Sequence, residues 1–150
     1  MKPTTLLALG LIVTGLVATW RPAAPTPEPI PAPSDDALRA AVAPVRAKLA
    51  GHQEDGRRLA SLYSSLADVL ARDQGKVITT TAQLRELNRR AGLLAFQKTG
   101  IAGKYSGLAE AIDKVLTDRI GLDNVALDSA KQTAAIESFR ALAWACQGGQ

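Results

Sequence analysis

An uncharged, apolar run from Leu6 to Trp20 adjoins a proline ladder that starts at Pro22. The run is a membrane-directed segment, and the ladder can enter neither a helix interior nor a sheet ladder, so a globular fold has to come from the residues beyond. Lys2 and the amino terminus supply the charge before the run, and Arg21 follows it. Residues 1–20 therefore read as a signal anchor or a signal peptide. The flanks favour the anchor. Cleavage needs small residues just before the cut; Val17-Ala18-Thr19 is the best candidate, and Arg21 and Pro22 crowd the next sites. As a helix, residues 4–20 span about 25 Å, slightly short of a hydrocarbon core of roughly 30 Å. Trp20 and Arg21 suit the membrane interface and make up the difference. This reading predicts a single-pass membrane protein with an extracytoplasmic (periplasmic) C-terminal domain, or a secreted domain if the segment is removed.

Residues 21–34 form a linker with prolines at 22, 25, 27, 29, 31 and 33. In the polyproline II conformation such a chain is a stiff spacer reaching roughly 40 Å at about 3.1 Å per residue. The remaining 116 residues, 35–150 of 150, have the size of one ordinary domain. Apolar residues make up 47% of the chain but aromatic ones 4%, so its core must be built from Ala, Leu, Ile and Val. Such side chains suit closely packed helices. The one concentrated β-branched run is Val77-Ile78-Thr79-Thr80-Thr81. The predicted fold is all-α, a compact bundle of four to five short helices behind the membrane segment and its tether.

Periodicity places those helices. The first starts at Ser34-Asp35-Asp36, carries Leu38, Ala41, Val42, Val45 and Leu49 on one side, kinks at Pro44 and ends near Gly51. A second, about 54–73, has the stripe Leu59, Leu62, Tyr63, Leu66, Val69 and Leu70, closed by Gly75. Thr80-Thr81-Ala82-Gln83 is a capping box opening a third helix, about 81–98, with Leu84, Leu87, Ala91 and Leu94 inward. A fourth spans about 106–120. Asp128 caps a fifth, on which Ala135, Ile136, Phe139, Leu142, Ala143 and Cys146 share a face. Trp144 lies off that stripe, as packing or as a contact residue, and the last four residues are predicted to fray.

The formal charge of +4 is unevenly distributed. Residues 35–75 balance, and residues 105–150 are slightly acidic. Between them Lys76, Arg85, Arg89, Arg90, Lys98 and Lys104 face a single acid, Glu86. Arg85, Arg89, Arg90, Lys98 and Lys104 are accordingly the candidate binding residues for an anionic partner: a lipid headgroup, an acidic cell-wall polymer or an acidic protein surface. Nucleic acid is disfavoured, because no stacking aromatics are interleaved with the basic residues.

Other motifs weaken on inspection. Around Gly100 and Gly103 the spacing is too short for a phosphate-binding loop, and Tyr105 stands where a hydroxyl to hold magnesium would follow Lys104. Asp118, Asp123, Asn124 and Asp128 are wrongly spaced for an EF-hand and read as caps and turn residues. His52 is the single histidine and Cys146 the single cysteine, which excludes an internal disulfide and multi-cysteine metal sites. No cofactor, metal site or catalytic set is predicted. The leading reading is a membrane-tethered binding or adaptor domain of the cell envelope, without catalysis. Alternatives are an envelope enzyme using Lys104, Tyr105 and Ser106 in the loop 99–107, or a single-pass phage-type lysis protein. The chain is similar to a spanin in layout alone, for it lacks the long coiled coil.

Overall fold

The structure, a computed structural model, describes residues 29–73, 75–99, 105 and 107–148, with residues 91–99 traced by their backbone alone. The apolar N-terminal segment and the first part of the linker lie outside the described residues. Five helices follow in order: α1 (Asp36–Lys48), α2 (Gln53–Asp73), α3 (Thr81–Thr99), α4 (Leu108–Ile120) and α5 (Ser129–Cys146). Among the described residues no strand forms, so this region is all-helical. None of the described helices is long and apolar enough to cross a membrane.

Side-chain chemistry at the helix starts explains most of the boundaries. The cap of α1 is Asp35 and not Ser34: its carboxylate accepts from the amides of Ala37 at 2.9 Å and Leu38 at 3.4 Å. Arg119 holds that carboxylate from α4 at 3.0 Å and reaches Glu137 of α5, also at 3.0 Å. One guanidinium thus ties three helices. The capping box forms at Thr80 and Gln83, whose side chains each accept from the other's amide at 3.2 Å. Asp128 caps α5 through the amide of Lys131 at 2.8 Å. By contrast α4 opens at Leu108 behind Gly107, whose φ of 77° excludes most side chains. The predicted start at residue 106 is two residues early. α1 continues through Pro44, which is exposed, and stops at Lys48.

At the centre lies α5, buried on every side from Ala141 to Cys146 and packed most extensively on α2, then on α4 and α1. A helix apolar all round can only be stable in such a position. Its alanines allow a close approach, and α2 answers with a glycine: a Cβ on Gly56 would lie 2.3 Å from the carbonyl oxygen of Cys146. Further along, the rings of Tyr63 and Phe139 stack at 6.2 Å. Leu59, Leu66, Leu70, Leu84, Leu108, Leu116 and Leu142 fill the space between the helices, each 4% exposed or less. Full burial of such a side chain stabilises by about 1.5–3 kcal/mol. Trp144 is buried and packs, with Arg46 over its ring at 5.3 Å. Cys146 is buried as well, and burial pushes its thiol well above the usual range.

Two loops are stitched together where the β-branched run lies. Thr80 and Ala126 form an isolated antiparallel bridge. The amide of Thr81 donates to Val125 at 2.9 Å and that of Leu127 to Thr79 at 2.8 Å. The Thr81 hydroxyl, fully buried, adds a bond to the carbonyl of Asp123 at 2.7 Å. The run thus adopts extended geometry, too briefly for a strand.

Residues 29–34, assigned to the linker from sequence, lie against the domain. The Ile30 amide donates to Gln147 Oε1 at 2.9 Å, and its side chain packs on the core. Gln147 was expected to fray; instead it caps α5 and takes this bond.

Candidate functional site

α3 is the peripheral helix, packed against α4 and more thinly against α2. A cleft of about 610 Å³ remains between α3 and α4, with Tyr63 of α2 and Leu122 also lining it. Ala82 on one wall and Ala109 on the other leave this room, since neither side chain is large enough to close it. The α3 wall carries Arg85, Glu86, Asn88 and Arg89; the α4 wall carries Glu110, Ile112, Asp113 and Thr117.

Two of the five predicted contact residues, Arg85 and Arg89, meet in this cleft. Arg85 donates to the carbonyl of Gly121 at 2.8 Å, binding the end of α4 to α3. Arg89 forms a fork on Glu86, with bonds of 2.9 and 2.7 Å, and Arg90 adds a third at 2.7 Å. Arg90 itself projects outward from α3, its side chain 72% exposed. The bonds from Arg89 and then Arg90 hold the Glu86 carboxyl well below the usual range, at about 2. Glu86 reciprocally raises the pKa of Arg89. The side chain of Lys98 and the whole of Lys104 lie outside the described residues.

Folding changes the charge balance read along the chain. In sequence the arginines of α3 have one acidic neighbour; across the cleft the structure adds Glu110 and Asp113. The site therefore has a basic wall and an acidic wall and is not a uniformly positive surface. Its hydrogen-bonding capacity is correspondingly mixed, with guanidinium donors on one side and carboxylate acceptors on the other. Thr117 is engaged within its own helix, its hydroxyl donating to the main-chain oxygen of Asp113 at 2.8 Å.

At the base of the α3 wall lies Asn88, 3% exposed, whose Oδ1 finds no hydrogen-bond donor. An unpaired buried acceptor costs about 1–3 kcal/mol. Asn88 stands four residues after Leu84 and seven after Thr81, on the stripe of α3 that turns inward, where an apolar residue would be expected. That spacing was the available signal, and a reading of apolar residues alone passes over it. Glu110, Asp113 and Leu122 are likewise site residues that the linear sequence does not bring near α3. Tyr63 lies beneath them, its phenol pushed up by burial, with Cys146 and Asp113 adding to the effect.

The other candidate group behaves differently. The Tyr105 hydroxyl donates to Asp55 Oδ2 at 2.6 Å, and the ring meets His52 edge-on at 5.1 Å. Tyr105 and Asp55 are 9% and 8% exposed, so the pair ties the chain before α4 to the first turn of α2. Lys104 and Ser106 lie outside the described residues. Of the oxygen-bearing turn residues, Asp118 pairs with Lys114, Asp123 accepts from Thr81 through its main chain and Asp128 caps α5. Among the described residues no three His, Cys, Asp or Glu side chains are grouped to hold a metal ion. Comparison with known protein families, curated proteins and solved structures gives no match.

Proposed function

We propose that the chain is a membrane-tethered, extracytoplasmic helical domain that acts by binding, as an adaptor or assembly component of the cell envelope. The apolar run Leu6–Trp20 supplies the anchor and the proline segment the spacer. Because residues 29–34 lie along the domain, they do not add to the spacer, and residues 21–28 would span roughly 25 Å if they adopt the polyproline II conformation expected from their sequence, at about 3.1 Å per residue. A domain held at that distance is suited to a partner near the membrane surface.

The observation that carries the binding reading is the cleft beside α3, where Arg85 and Arg89 line an open space facing Glu110 and Asp113. Open clefts with a few converging polar groups are the usual form of a ligand site. Arg89 and Arg90 share Glu86 and Arg85 is bonded to a neutral main-chain oxygen, so Arg85 is the arginine offered to an anionic group of the partner, beside a facing wall that is itself acidic. An enzyme site around Tyr105 would need its hydroxyl within reach of substrate, and that hydroxyl is buried on Asp55.

Charge reversal tests the proposal: Arg85→Glu with Arg89→Glu, followed by capture of partners from solubilised envelope. The double variant is expected to lose partners that the parent chain retains. An unchanged set of partners would remove this surface from the account.

A further inference from the structure

We infer that residues 29–34 form a releasable strap, hinged at Ser34 and latched at Ile30, whose opening lengthens the spacer and uncovers a groove beside α5. The gain in reach rests on the membrane tether proposed above; the strap itself does not. Its base is fixed, because Asp35 caps α1 and is held by Arg119, which also reaches Glu137 of α5. At the other end the Ile30 amide donates to Gln147 Oε1 at 2.9 Å. The ten residues from Glu137 to Gln147 rise about 15 Å at 1.5 Å each, and the five from Ile30 to Asp35 cover about 15 Å at 3.1 Å each in the polyproline II conformation their prolines favour. The segment therefore meets both anchor points without slack, and the chain bends at Ser34 before it enters α1.

The latch is light. Pro29, Pro31 and Pro33 have no amide proton to donate, and among the described residues the bond from Ile30 is the one hydrogen bond that residues 29–34 make. Pro29, Pro31, Ala32 and Ser34 are exposed, and about 490 Å³ stays open between the strap and Leu38, Ser64, Arg140 and Ala141. Atoms facing each other across such a gap gain no dispersion energy. What holds the strap is the Ile30 amide and its half-buried side chain. Docking in turn costs little order, since a proline-rich chain is extended in either state and has few conformations to lose. Two states so close in free energy shift when a partner prefers one of them. A molecule entering the groove, or tension on the spacer, would favour release. The six freed residues add about 19 Å, at about 3.1 Å each, to the roughly 25 Å expected of residues 21–28. The point of attachment moves from the end of α5 to the start of α1.

The test is native-state hydrogen exchange on the full-length, isotope-labelled chain in detergent micelles, with and without low concentrations of urea. The Ile30 amide is expected to be protected, yet to exchange at least roughly a hundredfold faster than the Leu142 amide in the middle of α5, through an opening that urea hardly affects. Gln147→Ala removes the acceptor and should lower protection at Ile30 by roughly tenfold while leaving Leu142 unchanged. Should that variant unravel α5, Ile30→Ala supplies the test, followed at its own residue 30 amide, because it loosens the latch without touching α5. The inference is overturned if Ile30 and Leu142 exchange together with one urea dependence, which would make the segment part of the cooperative core. It is equally overturned if Ile30 exchanges as in an unfolded chain, or if neither variant changes its protection. These rates read the domain alone: a chain found to lack an anchor would lose the tether and keep the strap, and an anchored chain without a separate opening would do the reverse.

Discussion

Gly56→Ala gives a test in which the sign of the effect decides. Gly56 lies in the first turns of α2, in ordinary helical conformation, so alanine there brings no backbone strain of its own. In an isolated helix the exchange would stabilise by about 1 kcal/mol, because alanine is the best helix former and glycine among the poorest. Here the added methyl would lie 2.3 Å from the Cys146 carbonyl oxygen and 3.4 Å from its carbon. The first distance is more than an ångström short of an ordinary contact of about 3.5 Å, and the obstructing atom is backbone, which cannot swing aside. Relief requires α2 and α5 to separate along the most extensive helix contact in the molecule. Overpacking of this kind costs typically about 1–3 kcal/mol, so the propensity gain is outweighed and a net loss of about 1–2 kcal/mol is expected. For a domain of this size that lowers the melting temperature by roughly 4–8 °C per kcal/mol, toward the smaller figure. Thermal and urea unfolding followed by circular dichroism reads it directly. A stabilised Gly56→Ala variant would refute the close approach of α2 to α5.

Glu86 should titrate with a midpoint near about 2 in the folded chain, measured through its side-chain carboxyl signal. Its folded pKa is depressed from 4.5, so its contribution to stability is present above that value and is lost as pH falls toward about 2. A midpoint near 4.5 would contradict the shared bonds to Arg89 and Arg90. Cys146, with its thiol buried and shifted upward, should resist thiol reagents at mildly alkaline pH until the chain is unfolded; rapid labelling of native protein would contradict its place in the core. Tyr105→Phe removes a bond to a buried carboxylate and should cost about 1.5–3 kcal/mol in urea unfolding, whereas an unchanged midpoint would show that the Tyr105–Asp55 tie carries no load.

How far the fold was legible depended on where the deciding interaction was local. The stripe of α2 and the capping residues Thr80, Gln83 and Asp128 sit within a turn or two of what they govern, and the sequence pattern locates them. Asp35 displaced Ser34 as the cap of α1 because Arg119, eighty-four residues away, fixes its carboxylate. The docking of Ile30 on Gln147 spans the domain and leaves no local mark. The same limit governs the site. Arg85, Arg89 and Arg90 were visible as a cluster on one helix, but their effective surroundings depend on α4, which contributes Glu110 and Asp113 from beyond a loop. Asn88 could have been found, because a polar residue on an inward stripe breaks the pattern of its own helix.

The most direct test of the account is the compartment of the C-terminal end. A phosphatase that becomes active only outside the cytoplasm, fused after Gln150 and assayed in fractionated cells, is expected to be active and to sediment with membranes. Activity confined to a cytoplasmic reporter at the same position, with the chain in the soluble fraction, would contradict both the tether and the envelope partner.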